Sequence, residues 1–299
     1  MNRLDAMAAF VRVAELQSFT AAASSLGLPK SSTSAAVAQL EAHLKTQLFF
    51  RTTRRVQLTH DGQAYYERCR ELLSDFEDVD AMFEQSPQAL TGSLRVDMPV
   101  SMARNYLVPR LPEFMGRHPG LDIELSCTDR RVDVIAEGFD CVIRVGMLAD
   151  SGLVARPLGE LKMGNYASPG YLATFGEPKM LEDLSRHRLI HYAATLGSRP
   201  FGFEYRDGDT WRTVDMAGRI TVNNTEAFHA AALAGLGLFQ APRTGNYRQV
   251  ETGTLVEILK AYEAEPLPVS LIYPRRRHQA RRVRAFMDWL AEVMDDYLK

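Results

Sequence analysis

Residues 19–59 read FTAAASSLGLPKSSTSAAVAQLEAHLKTQLFFRTTRRVQLT, a pattern that predicts two short helices followed by a basic hairpin. Ser18 is a good N-cap for the first helix, Phe19 to Leu26, because its hydroxyl accepts from free backbone N–H groups. Gly27 ends that helix, since glycine readily takes the left-handed conformation of a tight turn. The second helix, from Lys30 to about Leu44, has apolar residues at helical spacing. One of its faces is therefore expected to pack and the other to stay free.

The free face of the second helix is suited to a DNA duplex. Its residues are short or polar, so the helix can approach the floor of the major groove, and its hydroxyls can bond phosphates or base edges. In the hairpin that follows, apolar residues alternate with outward-facing arginines, as in the wing of a winged helix-turn-helix. The predicted DNA-contacting residues are Lys30, Ser31, Ser32, Ser34, Ala35, Gln39, Arg51, Arg54 and Arg55.

The distribution of charge favours the same interpretation. Residues 1–60 carry seven Lys or Arg and three Asp or Glu, a net charge of +4, whereas the whole chain carries −2. A local basic segment on a slightly acidic chain is the electrostatic footprint of a nucleic-acid site. The alternative is a solvated, serine-rich helix beside an ordinary basic turn.

In the order of its elements, this region resembles the N-terminal domain of LysR-type transcriptional regulators. The resemblance rests on an opening helix from Leu4 to Leu16, the turn SFTAAASSLGL, the segment LFFRTTR at 48–54 and the segment LTHDG at 58–62. It implies that residues 1–58 form a winged helix-turn-helix DNA-binding domain, mainly helical.

Two departures from the family pattern change the expected details. Ala35 and Ala36 stand where the family often has a polar or basic residue, so we expect part of the base readout to be apolar contact with thymine methyl groups. Lys45 stands where a glycine commonly follows the helix, so the end of this helix must be capped in another way.

Residues 59–88 are predicted to form a long linker helix. Thr59 is a plausible N-cap, and Asp61 in the first turn suits the helix dipole. Apolar residues then follow at alternating spacings of four and three, the heptad seam of a coiled coil: Tyr65, Cys69, Leu72, Phe76, Val79 and Phe83. The predicted dimerisation residues are Tyr65, Leu72, Phe76, Val79 and Phe83. The alternative is an amphipathic helix that packs only on its own domain, whereas the resemblance implies a dimer-forming linker and a homodimer or homotetramer.

Beyond Gly92 strands and helices alternate, which predicts an α/β domain with a largely parallel sheet. Strands are expected at 93–98, 122–127, 139–145, 219–222 and 269–273, with a hairpin at 204–212 that turns on Asp207-Gly208. Helices are expected at 103–118, 131–137, 225–234 and 279–297. Residues 92–299 thus form the C-terminal domain, with one lobe at 92–161 and 269–299 and a second at 162–268. Two α/β lobes joined by two crossings resemble a periplasmic-binding-protein fold, which the LysR family carries as its effector-binding domain.

Polar loops beyond the predicted strands suggest where a small molecule would bind. In open α/β sheets, ligands lie beyond the carboxyl ends of strands and near helix N-termini. This rule, with two aromatic neighbours, selects Pro99, Ser101, Val145, Gly146, Tyr192, Phe201, Asn223, Thr225, Gln240 and Pro242 as effector-binding residues. The alternative for Ser101 and Thr225 is simple helix capping.

The sequence lacks the motifs of the common enzyme and metal sites. It has no GxSxG, P-loop, GxGxxG or HExxH, and its three cysteines, Cys69, Cys127 and Cys141, have no CxxC spacing. We expect no catalytic residue, metal or cofactor, and reduced thiols, with Cys69 and Cys127 as a redox pair being the alternative. No apolar run approaches the length of a membrane span and the first helix is unlike a signal peptide, so we expect a cytoplasmic protein without a membrane partner.

Together these features predict a sequence-specific, DNA-binding transcriptional regulator controlled by a small-molecule effector between the two lobes. Its expected partners are double-stranded DNA, the effector and a second copy of the chain, with RNA polymerase left open. The alternative from another class is a cytoplasmic solute-binding or enzymatic module with an accessory basic N-terminal domain.

Overall fold

The computed structural model describes residues 2–51, 56–81, 90–148, 152–198, 201–275 and 279–298. The N-terminal unit contains three helices and a two-stranded hairpin, and a long helix follows it. These elements are α1 (Arg3–Leu16), α2 (Phe19–Ser25), α3 (Lys30–Leu44), β1 (Phe49–Arg51), β2 (Val56–Leu58) and α4 (His60–Ala81). The helix–turn–helix and the antiparallel hairpin predicted from residues 19–59 are thus present.

An aromatic cluster holds the N-terminal unit together. The ring of Phe10, on α1, is fully buried and lies 5.2 Å from the ring of Phe49 and 5.4 Å from that of Tyr65. Phe19 packs edge-on against Phe49 at 5.8 Å. Because these rings come from α1, α2, β1 and α4, one cluster fixes the recognition unit to the start of the long helix.

The ends of α2 and α3 show how local sequence fixes the turn. The Ser18 hydroxyl accepts a hydrogen bond from the Ala21 N–H at 3.2 Å, and Gly27 has a φ of 63°, as predicted. After α3, Lys45 itself adopts the left-handed conformation, with a φ of 55°, and donates its N–H to the Glu41 carbonyl. A lysine therefore closes this helix in the backbone geometry that glycine usually supplies, at a steric cost.

The start of α4 depends on a close approach of two backbones. The Thr59 hydroxyl accepts from the Gly62 N–H at 2.9 Å, which confirms the predicted cap, and donates to the Gln47 carbonyl at 2.7 Å. A Cβ atom at Gly62 would lie 2.0 Å from the carbonyl oxygen of Leu48. Only glycine fits here, because the obstacle is backbone and cannot move aside cheaply.

The first lobe of the C-terminal domain is built on a five-stranded sheet. Its strands are β3 (Thr91–Met98), β4 (Gly120–Cys127), β5 (Cys141–Val145), β6 (Val154–Leu161) and β14 (Leu267–Tyr273). The strand order is β4-β3-β5-β14-β6, in which β3 runs parallel to β4 and β5, whereas β14 runs antiparallel to β5 and β6. Four of the five strands thus run in one direction, as predicted, and β14 runs against them. The chain leaves this lobe through β6 and returns through β14, so these two strands run in opposite directions.

Helices cover this sheet and complete its core. They are α5 (Val100–Met102), a π-helical turn (Ala103–Leu107), α6 (Val108–Arg117) and α10 (Arg281–Leu298). Helical structure thus begins at Val100, three residues earlier than predicted. The buried face of α10 packs onto the sheet, where the ring of Phe286 lies 5.3 Å from that of Phe114.

The second lobe contains three small groups of strands. They are β7 (Met163–Ala167) with β12 (Phe239–Pro242) and β13 (Val256–Glu257), then β8 (His191–Tyr192) with β11 (Thr221–Val222), and β9 (Phe203–Asp207) with β10 (Thr210–Val214). Its helices are α7 (Pro169–Phe175), a 3₁₀ helix (Leu181–Arg186), α8 (Thr225–Leu233) and α9 (Arg243–Glu251). The β9–β10 hairpin turns beside Gly208, with a φ of 61°, as predicted.

One local prediction in the first lobe is wrong, and two strands where the chain passes between the lobes were missed. Residues 131–137 do not form a helix: a turn covers residues 134–138, and the Asp133 carboxylate accepts from the N–H groups of Ile135 and Ala136, which closes a local loop. Strands β6 and β7 were not predicted. They meet at Lys162, where the chain passes from one lobe to the other.

Candidate functional site

The outer face of α3 is exposed as the sequence predicts, with one correction. Lys30, Ser31, Ala35 and Gln39 are exposed, and Ser32 and Ser34 are half-buried. Ala36, expected on this face, is only 1 % exposed and packs in the core beside Val37. Apolar readout at Ala36 is therefore excluded, and Ala35 alone presents a methyl group of this pair to a partner.

The hairpin beside α3 is present, but most of its predicted cations are not described. Arg51 lies in β1 and pairs in register with Val56 of β2. Arg54 and Arg55 lie outside the described residues, as does the side chain of Arg51. Their contacts with DNA stay predictions from the sequence.

The predicted seam of α4 is divided between two environments. Cys69 is fully buried and Tyr65 contacts Phe10, so both pack in the core of their own N-terminal unit. These contacts account for their apolar character without a second chain. Further along, the exposed fractions of Leu72, Phe76 and Val79 are 52 %, 46 % and 50 %. Phe83 lies outside the described residues.

Ion pairs join the N-terminal unit and α4 to the first lobe. Arg12 of α1 lies 3.2 Å from the carboxylate of Glu124, and Arg70 of α4 lies 3.2 Å from that of Asp140. Arg95 of β3 lies 3.5 Å from the carboxylate of Glu15 of α1. The side chains of Arg70 and Asp140 are 12 % and 8 % exposed, so this ion pair of the junction is largely desolvated.

A cavity of about 350 Å³ lies between the two lobes of the C-terminal domain. Eight of the ten predicted effector-binding residues line it: Pro99, Ser101, Val145, Tyr192, Phe201, Thr225, Gln240 and Pro242. Gly146 and Asn223 do not. The Gly146 N–H is used in a turn, where it donates to the Pro268 carbonyl at 2.8 Å. Asn223 is exposed, and its neighbour Asn224 caps α8.

The expected capping roles of two lining residues are also corrected. Pro99 precedes the helical segment that contains Ser101, which leaves that serine in the first turn. At α8 the side chain of Asn224 accepts from the Ala227 N–H at 2.8 Å. Thr225 is thereby free for another contact, and its N–H and hydroxyl both donate to the Asp129 carboxylate.

Sequence reasoning missed several polar residues of the lining: Arg104, Thr128, Asp129, Arg144, His229 and Asn246. Thr128 and Asp129 directly follow β4, so the rule about carboxyl ends of strands applies to them and was not used there. Arg144 lies inside β5, where a buried strand gives no signal of a polar site. His229 and Asn246 lie within helices, and only tertiary structure brings them to the cavity.

A buried ion pair forms part of the cavity wall. The Asp97 side chain is fully buried and lies 2.5 Å from the Arg144 guanidinium, and it accepts from the Thr128 hydroxyl at 3.1 Å. Arg144 contributes to the lining with its charge already balanced. An anionic ligand therefore gains less binding free energy from Arg144 than it would from an unpaired arginine at the same position.

Burial shifts the pKa values of titratable groups nearer the second lobe toward their neutral forms. Burial raises the pKa of Tyr192 to about 12, with a further contribution from the charge of Asp129. Burial also lowers the pKa of His229 and raises that of Glu204, which is reinforced by the charge of Glu265. The Gln240 amide donates to Asn165 and to the Glu204 carbonyl, each at 2.8 Å. The polar groups at this end of the cavity thus include a phenol, an imidazole and an amide, from Tyr192, His229 and Gln240.

The described residues give no sign of metal or disulfide chemistry. They contain no group of three or more His, Cys, Asp or Glu residues placed to hold a metal ion. Cys69, Cys127 and Cys141 are free cysteines, so the alternative of a Cys69–Cys127 disulfide is not realised in this structure. Among the same residues, every helix is too short or too polar to cross a membrane.

A winged helix-turn-helix joined by a long helix to a two-lobed domain with a central cavity defines the class of ligand-responsive DNA-binding regulators. Comparison with known proteins makes the assignment specific. Residues 4–63 match the bacterial regulatory helix-turn-helix domain of the lysR family, and residues 87–295 match the LysR substrate binding domain.

Full-length relatives agree with both matches. The chain is 47 % identical over 298 residues to the HTH-type transcriptional regulator YhjC of Escherichia coli, covering 100 % of each. It is 38 % identical to an HTH-type transcriptional repressor of Pseudomonas aeruginosa, covering 98 % of this chain and 92 % of the relative. The full-length structure of the Vibrio cholerae virulence activator AphB is similar with a TM-score of 0.60 and 26 % identity, and 100 % of each chain is covered.

The chain belongs to the LysR family of transcriptional regulators. It is a DNA-binding regulator with an effector-binding domain, as the resemblance implied, and its relatives are regulators and not enzymes. One of the relatives above is named a repressor and another an activator, so similarity does not fix the direction of regulation.

Proposed function

We propose that the chain recognises its operator through the exposed face of α3 and that a small molecule in the cavity between the lobes controls this binding. The observation that carries the first part is the exposure of Ser31, Ala35 and Gln39 on one face of a helix that follows a helix and a tight turn. Small side chains allow close approach to base edges, and Arg51, Arg54 and Arg55 of the wing would hold phosphates.

The exposed seam of α4 supports a homodimer as the unit that binds DNA. Leu72, Phe76 and Val79 leave an apolar stripe at heptad spacing on the surface of α4. A two-fold axis through this stripe would present two copies of α3 to two half-sites, and pairing of dimers would give a homotetramer. We keep 1–58, 59–88 and 92–299 as the proposed domain boundaries.

The effector that suits the cavity is small and largely apolar, with one or two hydrogen-bonding groups. Phe201, Phe228 and Phe239 form an aromatic part of the cavity wall. Tyr192 and His229, whose neutral forms are favoured by burial, offer hydrogen-bonding groups. Such a lining, with few polar groups that fix orientation, is typical of small-molecule sites. The effector acts by binding one arrangement of the lobes more tightly than another.

We assign the protein to the cytoplasm, where its DNA target lies. RNA polymerase is a further candidate partner.

The operator contact is tested by a matched pair of charge substitutions. Ala35→Glu introduces a negative charge on the proposed reading face, and we expect at least a tenfold loss of affinity for the promoter region of the regulator's own gene. Ala173→Glu adds the same charge on an exposed helix of the second lobe and is expected to leave affinity unchanged. Footprinting and salt titration measure both. Equal affinities for the two variants would exclude α3 as the reading helix.

Control by an effector is tested with a variant that reduces the cavity. Ser101→Phe adds bulk at a half-buried lining position without touching the DNA-binding unit. Candidate metabolites are screened for a change in the footprint of the wild-type protein. We expect Ser101→Phe to retain basal footprinting and to lose the response to the active compound. A variant that responds as the wild type does would place effector binding elsewhere.

A further inference from the structure

One carboxylate of this chain bridges the two lobes at an end of the cavity. Asp129 follows β4 in the first lobe, and its Oδ1 accepts from the Val100 N–H at 3.2 Å, at the start of α5. Its Oδ2 accepts from the N–H of Thr225 at 2.6 Å and from the hydroxyl of Thr225 at 2.9 Å, at the start of α8 in the second lobe. Two helix starts, which favour negative charge, thus share a single anion.

The segment that carries this carboxylate is held on both sides. The Thr128 N–H donates to the Met98 carbonyl at 3.0 Å, and its hydroxyl donates to the buried Asp97. Asp97 is itself fixed by Arg144. Since Thr128 is anchored by backbone and side chain alike, the adjacent Asp129 is oriented into the cleft before any ligand arrives.

The cations at this end of the cavity are also paired. Arg104, which is part of the lining, forms an ion pair with Glu226 of α8, a second bridge between the lobes. Arg144 is paired with Asp97. Among the described lining residues, every arginine near Asp129 therefore has an acidic partner, and both helix starts are already bound to a carboxylate.

We propose that Asp129 is a specificity-determining residue of the effector cavity, an internal carboxylate that occupies the donors which an acidic effector would use. The native cavity then selects ligands that carry no negative group at this end. Removal of the Asp129 carboxylate leaves the N–H groups of Val100 and Thr225 and the Thr225 hydroxyl as a site for an external carboxylate. This inference deepens the proposed function, because it takes the cavity between the lobes as the effector site.

The test compares the affinities of two probes of the same shape for wild-type and variant protein. Benzoate carries a carboxylate on an apolar ring that suits the aromatic wall, and benzamide is its neutral counterpart. In calorimetric titrations, we expect Asp129→Ala to bind benzoate at least tenfold more tightly than the wild type does, with no comparable gain for benzamide. Without ligand, we expect Asp129→Ala to unfold at a lower Tm, because the bridge between the lobes is lost, and benzoate should restore part of the difference.

Two controls keep the outcome decisive. Asp122→Ala removes an exposed carboxylate from the same strand, β4, and should bind both probes as the wild type does. If Asp129→Ala lacks a cooperative unfolding transition, Asp129→Ser is titrated in its place, since serine vacates the carboxylate position and keeps a polar side chain. Equal benzoate affinities for wild type and variant, or an equal gain for benzamide, would overturn the proposal.

The failure of this inference can be told apart from the failure of the proposed function. The titration reports binding of benzoate to the protein and needs no operator. A gain in benzoate affinity without any effect of ligands on footprinting would retain Asp129 in its role and reject control by the cavity. A ligand that changes the footprint, with no gain in benzoate affinity on loss of Asp129, would retain control by the cavity and reject the proposed role of Asp129.

Discussion

The proposed DNA-reading surface and the proposed effector cavity are built in opposite ways. The proposed reading residues of the helix all lie within α3, which is a single run of 15 residues. The cavity lining, in contrast, gathers residues from Pro99 to Tyr297 and from both lobes. A site on one helix face follows from helical periodicity alone, whereas a cavity depends on which loops the topology brings together.

The interiors of the two regions differ in the same sense. Of the eight buried polar or charged side chains in the described part of the chain, only Thr33 belongs to the N-terminal unit. The C-terminal domain buries the others, including Asp97 and Asp140. Apolar side chains in a core need only pack closely, whereas buried polar groups also need hydrogen-bonding or charged partners in a particular geometry. We therefore expect the N-terminal unit to be rigid. The arrangement of the cavity is expected to depend on specific ion pairs and hydrogen bonds.

The largest expected effect comes from a substitution in the core of the N-terminal unit. Phe10→Ala removes a fully buried ring that contacts Phe49 and Tyr65, and should lower the free energy of unfolding of the N-terminal unit by about 4 kcal/mol. Phe50→Ala, at an exposed position next to Phe49, should cost less than about 0.5 kcal/mol. Urea unfolding followed by far-UV circular dichroism measures both. Similar losses for the two variants would contradict the assigned core.

The second prediction separates folding of the N-terminal unit from dimerisation through α4. Phe76→Asp places a charge in the exposed stripe of α4, and we expect loss of the dimer and at least a hundredfold loss of operator affinity, about 3 kcal/mol. Ala64→Asp adds the same charge at an exposed position of α4 outside the stripe and should remain dimeric. Light scattering gives the mass of each, and a dimeric Phe76→Asp protein would remove the stripe from the interface.

Alkaline pH should weaken both regions through their buried phenols. Burial raises the pKa of Tyr66 and of Tyr166 to about 12, from the ordinary value of 10. A raised pKa means that the neutral form is favoured in the folded state, so this contribution to stability is complete below pH 10 and is lost as pH rises from about 10 to 12. Urea midpoints at pH 9 and pH 11 measure the loss.

A phenylalanine variant assigns this alkaline loss to a particular residue. Tyr66→Phe cannot ionise, so its stability should fall less between pH 9 and pH 11 than that of the wild type, by about 1 kcal/mol. An equal fall in the two proteins would show that ionisation of Tyr66 does not contribute.

The smallest expected effect concerns the end of α3. Lys45→Gly relieves a left-handed lysine, with a φ of 55°, and should raise the free energy of unfolding by about 0.5 kcal/mol after the greater flexibility of the unfolded glycine is included. Ala42→Gly, inside the same helix, should instead lower it by about 1 kcal/mol. Chemical unfolding of both variants checks the signs, and a destabilised Lys45→Gly would show that the lysine side chain stabilises this turn.

Local chemistry explains which predictions succeeded. The cap at Ser18, the turn at Gly27, the cap at Thr59 and the hairpin at Asp207-Gly208 each depend on contacts within a few residues, and the structure confirms all four. The burial of Ala36 was missed because alanine is compatible with either face of a helix, and only the packing of α1 on α3 decides which face it joins.

Long-range geometry explains which predictions failed. Gly146 was expected at the cavity, but its N–H is taken by Pro268, more than a hundred residues later. Arg144 was missed because its partner, Asp97, comes from another strand. The antiparallel β14 follows from the return of the chain from the second lobe, which no pattern within the strand reveals.

The sequence alone determined the helix–turn–helix, the basic wing, the start of the long helix and the order of the α/β elements, because these depend on periodicity, caps and turns between near neighbours. Only the tertiary structure decided that Asp129 bridges two lobes, that Arg144 is balanced by Asp97, and that the seam of α4 is buried at Cys69 and exposed at Phe76. These features join residues far apart in the chain, and their free energies depend on distance and burial, which exist only once the chain is folded.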